Sequence, residues 1–335
     1  MLQRTLFCAL VLPLFLLAAD GSKPSAPVSG VLVDDATASI RPLVGNTGSA
    51  HTGDASVSDV QFALAAPDGR TALVVRDDRI SIIRRVQTQL PVWRNLTEER
   101  VSVDRAVWSQ DSNALAIYDE AQAKLFFWKN VQSDPAPAGQ FDMSQFPNAP
   151  ASLALDPEAR FVFATFLEKK GMEREGASLV VIPVGGVAQT LLTLSRPGAM
   201  FLSGGTLYIA DRGRAEVYAL SNWMTGLTLR TVVAAGNGIT DPAGIALSPD
   251  GKQLYVADAG SRQVLAFELG SSEQKAAVQL DFPPTRMDLI AMGSLYLLDK
   301  GSSGEAPAQV LQAPDFQVVH VPVGAGAMPS MQEPQ

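Results

Sequence analysis

The most regular chemistry-bearing feature of the sequence is a carboxylate that returns after a short apolar run, as Asp77, Asp119, Asp211, Asp258 and Asp299. Carboxylates at matching places could ring a cation. Aspartate also hydrogen-bonds the backbone amides of the turn that follows it, and repetition at equivalent positions favours that turn device. Histidine occurs only at 51, in a polar loop, and at 320, in the last apolar run, and cysteine only at 8. Those residues build no thiolate site, disulfide framework or histidine cage, so the reading assigns no catalytic residue, no metal and no cofactor. An oxygen-ligand calcium site needs convergent Asp, Glu and Asn. Asp104, Asn148 and Asp241 are the candidates, but they come from three separate stretches and form no motif. Gly185-Gly186 and Gly204-Gly205 lack the Gly-x-x-x-x-Gly-Lys spacing of a phosphate loop and read as hairpin turns. Pro67-Asp68-Gly69 and Pro249-Asp250-Gly251 are tight turns, with Pro presetting φ and Gly accepting positive φ.

Something must hold such residues in place, and the composition supplies it. Of 335 residues, 47% are hydrophobic and 18% charged, against about 25% charged in ordinary domains. That is ample material for a core and too little charge for disorder. The net charge of −8 argues against a nucleic-acid partner, which needs clustered Lys and Arg to neutralise phosphates. Residues 5–19 (TLFCALVLPLFLLAA) follow Arg4; the run is shorter than the about twenty residues of a bilayer span and contains Pro13. It reads as a secretory signal peptide over 1–21, cut after Ala19-Asp20-Gly21. Cys8 lies mid-run rather than at the cleavage point, so no lipid anchor is expected. The mature chain then keeps no cysteine and no stable membrane span, and is expected to be secreted or periplasmic.

The rest of the chain repeats. Residues 241–269 (DPAGIALSPDGKQLYVADAGSRQVLAFEL) contain an apolar strand, a Ser-Pro-Asp-Gly turn, a second strand ending in Asp258, and a third strand from Gln263, with a weaker fourth near 277–280. The same order recurs in 62–86, 105–128, 152–184, 199–220 and 287–312, and the second strands begin near Thr71, Ala114, Phe161, Thr206, Gln253 and Ser294. A period of about 45 residues with about four strands matches a propeller blade. No stretch sustains a helical apolar period. Runs such as LYIA, LYVA and FVFATF are apolar on both faces, as strands covered on both sides must be. The predicted fold is all-β: a β-propeller of six four-stranded blades, with seven as the alternative. Residues 22–58 read as a leader and N-terminal β-hairpin, whose strands at 30–45 either close the last blade or begin an incomplete seventh. The propeller occupies 59–325, and 326–335 is expected to be a disordered tail.

Residues 244–258 (GIALSPDGKQLYVAD) and 206–211 (TLYIAD) resemble the core of NHL and YVTN-type propeller repeats. The resemblance covers roughly 59–325 and implies the propeller fold. It leaves function open, since propellers of this kind include binding scaffolds, lactonases and lyases.

In a propeller, the loops that enter successive first strands converge on one face. Here they carry Asp104, Arg105, Asn148, Arg196, Asp241 and Arg286, a mixed rim suited to recognising a protein, peptide or glycan. The expected function is a non-enzymatic binding scaffold; the alternative is a lactonase- or lyase-like enzyme with an axial site. Lys169 to Gly176 form a charged insertion that lengthens one hairpin, expected to be a solvated tip, and Asn95-Leu96-Thr97 has the form of a glycosylation sequon.

Overall fold

Short runs of Val, Ile, Leu and Tyr form strands because branched and aromatic side chains fit a pleated, half-buried surface. The computed structural model describes residues 27–45, 49–88, 90–170, 173–291, 295–299, 307–313 and 315–322. Within them these runs form seven antiparallel sheets. The signal-peptide and tail readings lie outside the described residues.

Blade 1 is β1 (Val28–Asp34), β2 (Ser39–Val44) and β3 (His51–Thr52). Blade 2 is β4 (Phe62–Ala65), β5 (Thr71–Arg76), β6 (Arg79–Arg84) and β7 (Val92–Asn95). Blade 3 is β8 (Arg105–Trp108), β9 (Leu115–Asp119), β10 (Lys124–Lys129) and β11 (Ala136–Asp142). Blade 4 is β12 (Ser152–Leu155), β13 (Phe161–Lys170), β14 (Glu173–Pro183) and β15 (Gln189–Leu194). Blade 5 is β16 (Pro197–Ser203), β17 (Thr206–Asp211), β18 (Glu216–Ser221) and β19 (Thr228–Val233). Blade 6 is β20 (Pro242–Leu247), β21 (Gln253–Asp258), β22 (Gln263–Glu268) and β23 (Gln274–Gln279). Blade 7 is β24 (Asp288–Ala291), β25 (Leu295–Asp299), β26 (Ala308–Gln312) and β27 (Gln317–Val321). Beyond these strands, the described regular structure is one turn of 3-10 helix at Ala235–Asn237.

The strands pair as meanders, and each blade packs on the next. Seven apolar clusters each span two neighbouring blades and together close a ring. Tyr255 and Val256 show the two-sided burial directly. Tyr255 packs toward blade 7 and Val256 toward blade 5, and both are buried. Trp108 joins blades 2 and 3 by donating from Nε1 to the Leu64 carbonyl at 3.2 Å. Tyr296 joins blades 7 and 6 by donating to the Leu247 carbonyl at 2.7 Å. Near the axis the first strands crowd together. A Cβ on Gly244 would lie 2.4 Å from the backbone of Arg286 and Met287, so β20 needs glycine there. Gly204 and Gly205 both have positive φ, the backbone of the two-residue hairpin turns that match strand twist.

The ring has seven blades, the stated alternative to the six favoured. The N-terminal hairpin does not close the last blade; with β3 it forms the incomplete seventh blade of the alternative reading, three-stranded among the described residues, between blades 7 and 2, packing Leu32 and Leu43 on one side and Val31 and Ile40 on the other. Its period is hidden because it has three strands and a broken outer one. β3 pairs with Val44 and Leu43, and the same stretch bridges again from Val57 to Ile40. His51, expected in a loop, lies in β3 and is exposed; His320 lies in β27 as expected, also exposed. The ring closes without a shared sheet, by side-chain packing and by the Thr52 amide donating to the Pro322 carbonyl at 3.1 Å.

Candidate binding face and axial channel

In blades 2 to 7 the antiparallel course places two kinds of segment at the same end: the loops entering each first strand and the hairpins between second and third strands. The recurrent aspartate joins them. Asp258 is fully buried. It accepts the Ser261 amide at 2.8 Å from its own hairpin. It also accepts the Thr240 amide at 2.9 Å, the Thr240 hydroxyl at 2.8 Å and the Asp241 amide at 2.6 Å from the incoming loop. Asp211 likewise accepts Gly213 from its hairpin and Ser195 and Arg196 from the incoming loop. Asp119 accepts the Gln122 and Ser102 amides, each at 2.9 Å, and Asp299 accepts the Thr285 hydroxyl at 3.1 Å. Burial would raise the Asp258 and Asp119 carboxyls, but the hydrogen bonds from Ser261 and Thr240, and from Gln122 and Ser102, hold both below the usual value.

The turn device is therefore present, and it does more than the turn reading anticipated, because Asp119, Asp211 and Asp258 each clamp two loops. The sequence carried a signal for the second loop, a Ser or Thr ahead of the first strand at Ser102, Ser195, Thr240 and Thr285. Asp77 departs from the pattern. It is exposed at a hairpin tip with φ of +52°, and the clamp in blade 2 is a reciprocal pair between Gln61 and Asp78.

Blade 4 has no such aspartate. Its second and third strands run on as the long hairpin of β13 and β14, so the charged insertion extends strands rather than only a loop. Asn148 takes over the clamp, donating to the Leu167 carbonyl at 2.9 Å, and Phe146 stacks on Phe166 at 4.1 Å. Between them opens a groove of about 570 Å³ lined also by Glu168, Ser178 and Thr190.

The six residues proposed for the rim separate into distinct settings. Arg196 and Asp241, 45 positions apart and on neighbouring blades, meet at 2.8 Å. Arg212, which sequence reasoning missed, binds the same carboxylate through two hydrogen bonds of 2.7 Å. The Arg212 hydrogen bond holds Asp241 below the ordinary carboxylate value. Two guanidiniums thus meet on one carboxylate, while the buried carboxylates of Asp258 and Asp211 accept from the backbone of the same loops. Arg286 pairs with Asp288 at 3.1 Å at the axial mouth. Arg105 is exposed at the start of β8. Asp104 turns back to its own loops, accepting the Ser102 hydroxyl and the Glu120 amide. The would-be calcium ligands Asp104, Asn148 and Asp241 thus have other partners. Among the described residues no group of three His, Cys, Asp or Glu is placed to hold a metal ion. No described helix is long and apolar enough to cross a membrane.

All seven innermost strands surround an axial channel of about 280 Å³. Its wall mixes apolar side chains, from Val31 and Val33 through Ala63, Ala106, Leu153, Met200 and Ile245 to Leu289, with polar groups that include Arg286, Asp288 and Gln110.

No protein-family model matches the chain, and no curated protein matches it. Solved structures do. A functionally unknown protein from Desulfotomaculum acetoxidans is 14% identical, with 89% of this chain and 96% of that chain covered and a TM-score of 0.58. A chain of the nidogen/laminin complex is 15% identical over 76% of this chain and 94% of that one, with a TM-score of 0.47. Hydrazine synthase from Kuenenia stuttgartiensis is 11% identical over 92% and 99%, with a TM-score of 0.48. At 14% identity the likeness to the Desulfotomaculum acetoxidans protein speaks for fold alone, and the ring of seven sheets makes this chain a β-propeller of seven blades.

Proposed function

We propose that this protein is an exported, non-enzymatic scaffold that binds a protein partner through the face carrying the clamped loops. The observation that carries the reading is the cluster of Arg196, Asp241 and Arg212, a partly exposed set of ion pairs assembled across two blades. Partly exposed ion pairs contribute only about 0–1 kcal/mol to stability, so the cluster's stabilising role is small. Arginine presents a planar fork that pairs with carboxylates and stacks on aromatic rings, and it is enriched where interfaces bind tightly. The partner is expected to present a carboxylate or an aromatic ring to the exposed Arg196 side chain. The buried aspartates keep the surrounding loops ordered before binding, which reduces the entropy lost on association. The core at 244–258 supports kinship with NHL and YVTN-type repeats.

Arg196→Ala combined with Arg286→Ala should weaken capture of the partner from envelope extract, and capture by the unaltered protein should fall as salt rises. Stability should stay within about 0.5 kcal/mol of the parent in urea titrations. Identical partner profiles for parent and variant would remove this face from consideration. Export has its own test. Intact-mass measurement on protein from its native host should show the loss of residues 1–21, and with them Cys8, so that no thiol reacts after denaturation. A retained Cys8 would mean that the apolar run is an anchor.

A further inference from the structure

The groove of blade 4 lies on the loop face, but its chemistry differs from that of the arginine cluster. Its floor is the side of β13, β14 and β15 that looks toward blade 3. Strand register orders this floor in rows. Val180 stands opposite Thr190, and Phe166 opposite Ser178. One step of two residues nearer the hairpin tip, Glu168 stands opposite Gly176, which brings no side chain beside the carboxylate. The wall is the connector 146–148, with Phe146 stacked on Phe166. Among the described residues the lining holds one formal charge, the exposed Glu168, and no basic group. The Asn148 amide nitrogen is engaged by the Leu167 carbonyl, and the Ser178 hydroxyl donates to one Glu168 oxygen. The second Glu168 oxygen and the Asn148 side-chain oxygen therefore leave the groove rich in acceptors. Its volume of about 570 Å³ lies within the about 300–1,000 Å³ of sites that hold small ligands.

An occupant that matches this floor has an apolar stem and ends in a cation with donors. The step from the Phe166 row to the Glu168 row is about 7 Å, two residues of strand rise. Lysine and arginine side chains have that form. Their carbon stems pack on apolar surface while the charged head stays at the water's edge. A carboxylate would meet Glu168 as a like charge, and a wholly apolar side chain would leave Glu168 facing hydrocarbon. We infer that the blade 4 groove receives a lysine or arginine side chain projected by the protein partner, its stem against Phe146 and Phe166 and its cation on Glu168. The inference rests on the binding face proposed above and names a side chain that the partner brings to it. The net charge of −8 favours the approach of a basic segment.

Nuclear magnetic resonance titration of the whole protein tests the inference, with the methyl groups of Val180 and Leu167 as reporters. The probes are the N-acetyl amides of lysine, arginine, norleucine and glutamate. The two cations should bind at least about tenfold more tightly than norleucine, glutamate should not bind, and salt should weaken the cations alone. Glu168→Gln should weaken both cations about tenfold, as expected for a lost hydrogen bond between charged groups, and leave norleucine unchanged. Phe146→Ala should weaken all three. Both variants should melt near the parent, and Glu168→Gln alone reads the site if Phe146→Ala fails to fold. Norleucine binding as tightly as lysine would overturn the inference, as would lysine binding unchanged by Glu168→Gln. Capture from envelope extract separates this inference from the reading it rests on. Lysine binding by a protein that captures nothing would uphold the groove's chemistry and remove the scaffold function. A partner captured equally by parent and Glu168→Gln would uphold the scaffold and remove the groove from it.

Discussion

Val256→Asp should abolish folding or lower the melting temperature by about 10 °C or more. Val256 is fully buried in β21, between β20 and β22 in its own sheet and against blade 5. Its neighbours there include Val217, Ile245, Leu254 and Leu265, and none can pair a carboxylate. Burying an ionised group without a partner costs several kcal/mol, even when the group escapes by taking up a proton. Leu229→Asp is the matched control. Leu229 lies in the outer strand β19 and is 50% exposed, so the same chemical change there should cost within about 0.5 kcal/mol. Thermal melts followed by circular dichroism read both variants. Near-equal melting temperatures would mean that blade 6 does not pack on blade 5 as described.

Asp258→Ala should destabilise the protein by about 2–4 kcal/mol, because buried donors left without an acceptor cost about 1–3 kcal/mol each and water reaches only some of them. Four donors lose their partner together: the amides of Thr240, Asp241 and Ser261 and the Thr240 hydroxyl. Asp77→Ala removes the exposed aspartate at the matching place in blade 2 and should cost within about 0.5 kcal/mol. The effect also has a sign in pH. The folded protein holds the Asp258 carboxyl below its ordinary value, so the unfolded chain binds the proton more readily. The stabilisation is complete above the unfolded value of about 3.9 and is lost as pH falls through the folded value. Urea titrations should therefore show the gap between parent and Asp258→Ala constant near neutrality and shrinking below about pH 4. A gap that persists in acid would show that the clamp does not depend on the carboxylate's charge.

These two positions also show how much of the molecule was legible in its sequence. Val256 and Tyr255 could be assigned to opposite faces of one buried strand because alternation and two-sided apolarity are local properties of a few consecutive residues. The recurring aspartate was equally visible, and its acceptance of amides from the following turn is a contact over two or three residues. Its second set of donors was not visible. Thr240 and Asp258 are 18 positions apart, and they meet only because β20 runs away from that end of the blade and β21 returns to it. Asp77 illustrates the converse. It has the right residue at the right spacing, but the turn in blade 2 tips its side chain out and leaves the clamp to Gln61 and Asp78.

The sequence by itself determined that the chain is built of short strands, that these repeat in units of about 45 residues, and that the units pack on both faces. Composition, turn residues and apolar alternation act over a few bonds and need no distant partner. The tertiary structure decided what depends on closing a ring. Seven blades rather than six follow from whether the short N-terminal hairpin finds two apolar neighbours, and it finds them at Leu32 and Leu43 toward blade 7 and at Val31 and Ile40 toward blade 2. The cluster of Arg196, Asp241 and Arg212 and the axial channel likewise arise only when first strands far apart in sequence are brought around one axis. Contacts of that range depend on the angle between successive blades, which side-chain packing at every interface sets jointly and no single stretch of sequence encodes.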